Sequence, residues 1–175
     1  MRVLILVACS LILACLPAAA ADPKGIWLVE DKSAQIDIEN CSGVLWGIVV
    51  WERNAGRDTQ NPDPALRGRP TLGIPILLGM KPTTQQGSAA PLTVWRGQIY
   101  NARTGQTYDA NIKMVSADVL HLEGCVLGGL FCGGQDWARV KGPPPAPTSA
   151  GATAAHASGG ADVCSRVSDL ARATH

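Results

Sequence analysis

The sequence is poor in aromatic rings and in charge. Beside five tryptophans it holds two tyrosines and one phenylalanine, and only 17% of its residues are charged. Charges this sparse, and of both signs, leave no basic stripe to follow a phosphate backbone, which argues against nucleic acid and anionic membrane as partners. The longest apolar run, Val3 to Leu16, is shorter than the about 20 residues a membrane-spanning helix needs. No Cys-x-x-Cys, His-Glu-x-x-His, Gly-x-Ser-x-Gly or phosphate-loop motif occurs. Their absence argues against thiolate zinc, metalloprotease, hydrolase-elbow and P-loop chemistry. Between Gly25 and Val140 there is a single histidine, His121, placed by strand alternation on a solvated face.

What is present begins with a three-part export signal. Arg2 precedes the apolar run, and Ala18 to Ala21 follow it, so residues 1–21 read as a signal peptide cut after Ala20 or Ala21. The expected location is the periplasm or beyond. Lipid anchoring at Cys15, in Ile12-Leu13-Ala14-Cys15, is the lesser alternative. Without Arg2 the remaining chain carries 14 Lys+Arg (15 minus one) against 14 Asp+Glu, so its net charge is zero. At the other end residues 141–161 are rich in Pro, Ala, Gly, Ser and Thr. They cannot bury enough surface to offset ordering entropy and read as a disordered linker. Residues 162–175 read as a short helical tail, with Asp162 as its cap and Val163, Val167 and Leu170 on one face. At under four turns it is marginal alone. A central domain, 22–140, remains.

That domain reads as eight short strands without a helix between them. Gln35 to Cys41 alternates Ile36 and Ile38 with polar residues, and Thr107 to Val115 alternates Tyr108, Ala110, Ile112 and Met114 with polar residues. Val44 to Trp51 is apolar on both faces, which suggests a central strand. Leu72 to Met80 contains Pro75, which suggests an edge or a bulge. Regular short strands point to a sandwich or an antiparallel barrel, and closure removes the exposed edges. Trp27 opens the first strand and Arg139 closes the last. In a barrel those strands are neighbours, so the guanidinium could lie across the indole and seal one end.

Taken in order, GIWLVED, NCSGVLWGIVVW, NPDPALRGRP, IYNARTGQTY, LHLEGCVLGG and QDWARV resemble the bacterial family known as domain of unknown function 2147. The resemblance covers nearly all of Gly25 to Val140. It implies a secreted, lipocalin-like barrel and no particular activity.

Four cysteines remain after the signal, and an oxidising compartment favours disulfides. Cys125 and Cys132, flanking a glycine-rich turn, are the favoured pair. Cys41 and Cys164 could then bridge and tie the tail to the barrel, or both stay free. A metal site from these thiols and His121 is disfavoured, and no cofactor is expected. The glycines from Gly124 to Gly134 precede a strand rather than a helix, so they are not a dinucleotide fingerprint.

The segment Glu52 to Thr71 has no strand pattern and is unusually polar. Asp63, Pro64 and Gly68 can start, seat and stop one helical turn, so the loop should be ordered. It presents Asp58, Asn61, Arg67 and Arg69, and Tyr100 and Tyr108 flank the turn that could face it. In one reading Asp58 and Asp63 pair with the two arginines and the loop plugs the barrel. In the other it is a lid whose arginine grips an anionic headgroup. No catalytic residue is assigned. The leading expectation is a non-catalytic binder of a small apolar or anionic amphipathic molecule, with a small cavity because strands must be short. The alternatives are an envelope interaction module with a filled core, partnered through the C-terminal tail, and an enzyme working at the loop-capped mouth.

Overall fold

A computed structural model describes residues 22–84, 93–126, 131–142 and 163–169. Eight strands follow in order: β1 Gly25–Leu28, β2 Ala34–Cys41, β3 Val44–Glu52, β4 Pro75–Thr84, β5 Thr93–Asn101, β6 Gln106–Ser116, β7 Val119–Val126 and β8 Phe131–Arg139. Each pairs antiparallel with the next, and β1 pairs with β8 through Trp27↔Arg139 and Leu28↔Ala138. The sheet is therefore a closed, up-and-down barrel.

Strand alternation sorts the core. Ile36 and Ile38 of β2, Leu45 and Val49 of β3, Ala110 and Ile112 of β6, and Leu120 and Leu122 of β7 all belong to one buried inner cluster. Up-and-down topology sends the β1–β2, β3–β4 and β5–β6 connections to one end and the chain ends of the barrel to the other. The second end is sealed. Arg139 lies 4.2 Å over the Trp27 ring. Its nitrogens donate to the carbonyls of Ala117, Lys24 and Asp22 at 2.7, 2.7 and 2.6 Å. A planar guanidinium can do both at once, stacking by its face while its edge donates. Trp27 is itself fully buried, and its Nε1 donates to the Pro23 carbonyl at 2.8 Å.

Three details differ from what the strand pattern suggests. Pro75 is the first residue of β4 and faces Ile48 in register, so it needs no ladder donor; the register of β3 against β4 shifts there. It marks an irregularity, but no edge, because a closed barrel has none. Gly73, with φ +86°, sits just before it and donates to the Val49 carbonyl at 2.7 Å. The doubly apolar β3 is likewise not central. Its outward residues Trp46, Ile48 and Val50 cluster with Ile26 and with Val163 of the tail. The tail is helical over 163–169, here called α1, and Val163 and Val167 are both buried. A disulfide from Cys164 to Cys41, at the end of β2, fastens it. A helix too short to persist alone is thus held by a covalent tie and an apolar face. Finally, β7 and β8 run further than expected, with Cys125 and Cys132 opposite each other in register and disulfide-bonded. The signal segment with Cys15, most of the linker, Asp162 and Leu170 lie outside the described residues.

Candidate ligand site at the open end of the barrel

The end opposite Arg139 is open. A cavity of about 1230 Å³ enters the barrel there, with Ile36, Val49, Ile74, Ile99, Leu122 and Trp137 among its walls. The cavity is larger than the strand lengths inferred from sequence suggested. Strands β4 and β6 reach 10 and 11 residues. Inward positions near the mouth are also bare. Gly124 pairs with Gly133 across β7 and β8. A side chain built at Gly133 would meet nothing within 4 Å, and one at Gly124 only Ile99 at 3.7 Å. The barrel is packed at its sealed end and hollow at its mouth.

The polar segment between β3 and β4 is an ordered wall of this mouth. It folds as an irregular hairpin: the Asp58 amide donates to the Arg69 carbonyl and the Thr71 amide to the Gly56 carbonyl, both at 3.1 Å. Arg57 pairs with Pro70, and its Nη1 donates to the Gly68 carbonyl. The tip is a single 3₁₀ turn, Pro64–Leu66, whose N-cap Asp63 accepts from the Ala65 amide at 2.9 Å. The hairpin docks on the β5–β6 turn. Gly105, with φ +69°, leaves no room for a side chain because the Gln60 carbonyl occupies that position.

One buried acid organises the hairpin. Asp58 is fully buried. The Tyr100 hydroxyl donates to its Oδ1 at 2.5 Å, and Asn61 Nδ2 donates to its Oδ2 at 2.7 Å. Arg69 reaches the same Oδ2 with Nε at 3.0 Å and Nη2 at 2.8 Å. Burial opposes the charge but is outweighed: Tyr100, Asn61 and Arg69 hold the Asp58 pKa below its ordinary 3.8. The same burial, with the Asp58 acceptor, pushes the Tyr100 hydroxyl above its ordinary 10.0. Arg67 donates through Nε to the Asn61 carbonyl at 2.8 Å.

Of the residues singled out in the sequence, Asp58, Asn61, Arg69 and Tyr100 thus form one network, and Arg67 joins it through a backbone carbonyl. Asp63 caps its own turn instead of pairing with an arginine. Tyr108 stands apart on the cavity lining, its hydroxyl 3.3 Å from that of Thr104.

A second polar group spans the mouth and was not visible in the sequence. Arg103, in the β5–β6 turn, donates to Asp31, in the β1–β2 turn, at 2.7 Å and to the Ser33 hydroxyl at 3.2 Å. These turns lie on opposite sides of an eight-stranded ring. The Ser33 hydroxyl first, and Arg103 next, lower the Asp31 pKa to about 2. On the outer wall, His121 Nδ1 lies 2.6 Å from Asp136. Glu123, Cys125 and Cys132 cluster nearby, but the two sulfurs are bonded to each other and offer no thiolate.

The profile of the bacterial family described as "Uncharacterized protein conserved in bacteria (DUF2147)" matches residues 25–139. The chain belongs to this family. The matched span is the barrel itself, from β1 to the closing Arg139, so DUF2147 membership and ring closure describe the same unit. A solved structure, protein HP1028 from the human pathogen Helicobacter pylori, described as belonging to the lipocalin family, is similar at 21% identity with a TM-score of 0.58. The likeness covers 69% of this chain and 84% of that one, and it shows the fold. No curated protein matches the DUF2147 chain.

Proposed function

We propose that this protein is an exported, non-catalytic carrier that takes a small apolar or amphipathic molecule into the open end of its barrel. The observation that carries the reading is the asymmetry of the barrel: one end packed and sealed by Arg139, the other opening into a cavity of about 1230 Å³ whose lining mixes apolar residues with polar and charged ones. Two disulfides support an oxidising compartment, and so export. No described helix is long and apolar enough to cross a membrane. The interaction-module alternative has less to work with, because Val163 and Val167 of the tail are buried on the chain's own barrel. An enzyme would need a base or nucleophile facing the cavity: the Asp58 oxygens are taken by Tyr100, Asn61 and Arg69, and Asp31 by Ser33 and Arg103, which leaves Glu30 and Glu52 as the lining carboxylates outside these two networks.

The test is a cavity-filling variant. Wild-type protein should take up a neutral apolar dye such as phenylnaphthylamine saturably, with one site per barrel. Gly124→Phe, at a position with ordinary backbone geometry and open space beside it, should fold with unchanged circular dichroism and lose dye uptake by about tenfold or more, as overfilling a site removes its apolar contacts. Equal saturable uptake by both proteins would place the dye elsewhere and end the proposal.

A further inference from the structure

The barrel contains two fully enclosed tryptophans of opposite status. Trp27, at the sealed end, gives its Nε1–H to a carbonyl. Trp137, on β8, is 1% exposed and lines the cavity, yet its Nε1 has no acceptor among the described residues. Thr71 Oγ1, from the hairpin, is likewise buried, unpartnered and on the lining. A buried donor left unmade costs about 1–3 kcal/mol, so a cavity wall that keeps one gains most from an occupant that supplies the acceptor. Gln135 sits two residues before Trp137 on the same strand, opposite the inward Leu122, and also lines the cavity. The Cα atoms of the indole-bearing and amide-bearing residues therefore stand about 7 Å apart along one wall, by the strand repeat.

Charge narrows the occupant further. Two arginines and three carboxylates lie on the lining, namely Arg57, Arg103, Glu30, Asp31 and Glu52. Both arginines are engaged, Arg103 with Asp31 and Arg57 with the Gly68 carbonyl. The part-buried Arg69 is held by the buried Asp58. An anionic headgroup would meet a lining with more acids than bases, on which Arg103 is already paired with Asp31, and would exchange its hydration for a wall of net negative charge.

We infer that the ligand is a neutral amphipathic molecule whose uncharged oxygen acceptor, an ester, amide or hydroxyl oxygen, enters the barrel and takes the Trp137 N–H, while its apolar part lies against the isoleucine and leucine walls. This rests on the carrier reading and replaces its anionic option with a neutral acyl class.

Displacement of bound phenylnaphthylamine by methyl laurate, laurate and dodecane tests it, because the three share a chain and differ in the head. In the wild type methyl laurate should displace best. In Trp137→Phe the ester-to-alkane affinity ratio should fall by about fivefold or more, the size of one hydrogen bond. Gln135→Leu, at a half-buried site, should lower the same ratio and serves where Trp137→Phe fails to fold. An ester preference that survives both substitutions, or tighter binding of laurate than of its ester, overturns the inference while leaving the carrier reading intact. Failure of the wild type to take up dye at all overturns both.

Discussion

At the scale of single residues, Asp58 explains most of the polar chemistry. It lies in the middle of an apolar domain and carries charge because three neighbours supply donors. Removing a member of a buried pair leaves the partners unmatched. Asp58→Asn should lower stability by about 3 kcal/mol, and Tyr100→Phe by about 1.5 kcal/mol, in urea titrations at neutral pH. The two residues also set opposite pH limits. The Asp58 pKa is depressed, so its stabilisation is complete above the ordinary 3.8 and is lost as pH falls through the lower folded value. The Tyr100 pKa is raised, so its stabilisation is complete below 10.0 and is lost as pH rises through the higher folded value. Asp58→Asn should therefore flatten the acid limb of the stability profile, and Tyr100→Phe the alkaline limb. The sequence offered Asp58 and Asp63 as partners for Arg67 and Arg69, as one of two readings, and the ion pair present is Asp58 with Arg69. It did not show Tyr100 as the third member, since 42 residues separate it from Asp58 and only barrel closure joins them.

At the scale of elements, the two disulfides do different work. Cys125–Cys132 links positions already paired in a ladder and closes a loop of separation 7, whereas Cys41–Cys164 closes one of separation 123. Chain entropy assigns about 2.4 kcal/mol to the first and about 4.9 kcal/mol to the second. The double variant Cys41→Ser/Cys164→Ser should accordingly lose more stability than Cys125→Ser/Cys132→Ser. It should also speed amide exchange in β3, whose outward Ile48 and Val50 lose their cover as α1 departs. Equal losses would mean that α1 stays docked by Val163 and Val167 alone. The apolar double face of β3 was plain in the sequence. That a helix over a hundred residues away supplies its second cover was not, because the tail's pattern says which face is apolar but not where it lands. The hairpin between β3 and β4 is the opposite case. Its turn and cap were legible at Asp63 and Pro64 because they obey local rules, while its docking against Gly105 depends on a separate turn.

At the scale of the molecule, closure is the central event. Arg139 replaces what would be an open seam by three hydrogen bonds and a stacked indole. Arg139→Ala should lower stability by about 2 kcal/mol or more, and Arg139→Lys should recover little of it, because an ammonium cannot fork to three carbonyls while lying on a ring. Thermal melts of the three proteins would decide this. Full recovery by lysine would reduce the role of Arg139 to charge alone. The sequence by itself determined the strands, their antiparallel order and the likeness of first and last that closes the ring. These follow from period-two patterning and from short connections, which act between neighbours in the chain. The tertiary structure alone decided that the barrel is full at one end and hollow at the other. Hollowness depends on which inward positions meet across the ring. Gly124 against Gly133, the orphaned N–H of Trp137 and the strap from Asp31 to Arg103 each come from residues that alternation leaves unremarkable, and acquire meaning only when the wall curves round and sets them face to face.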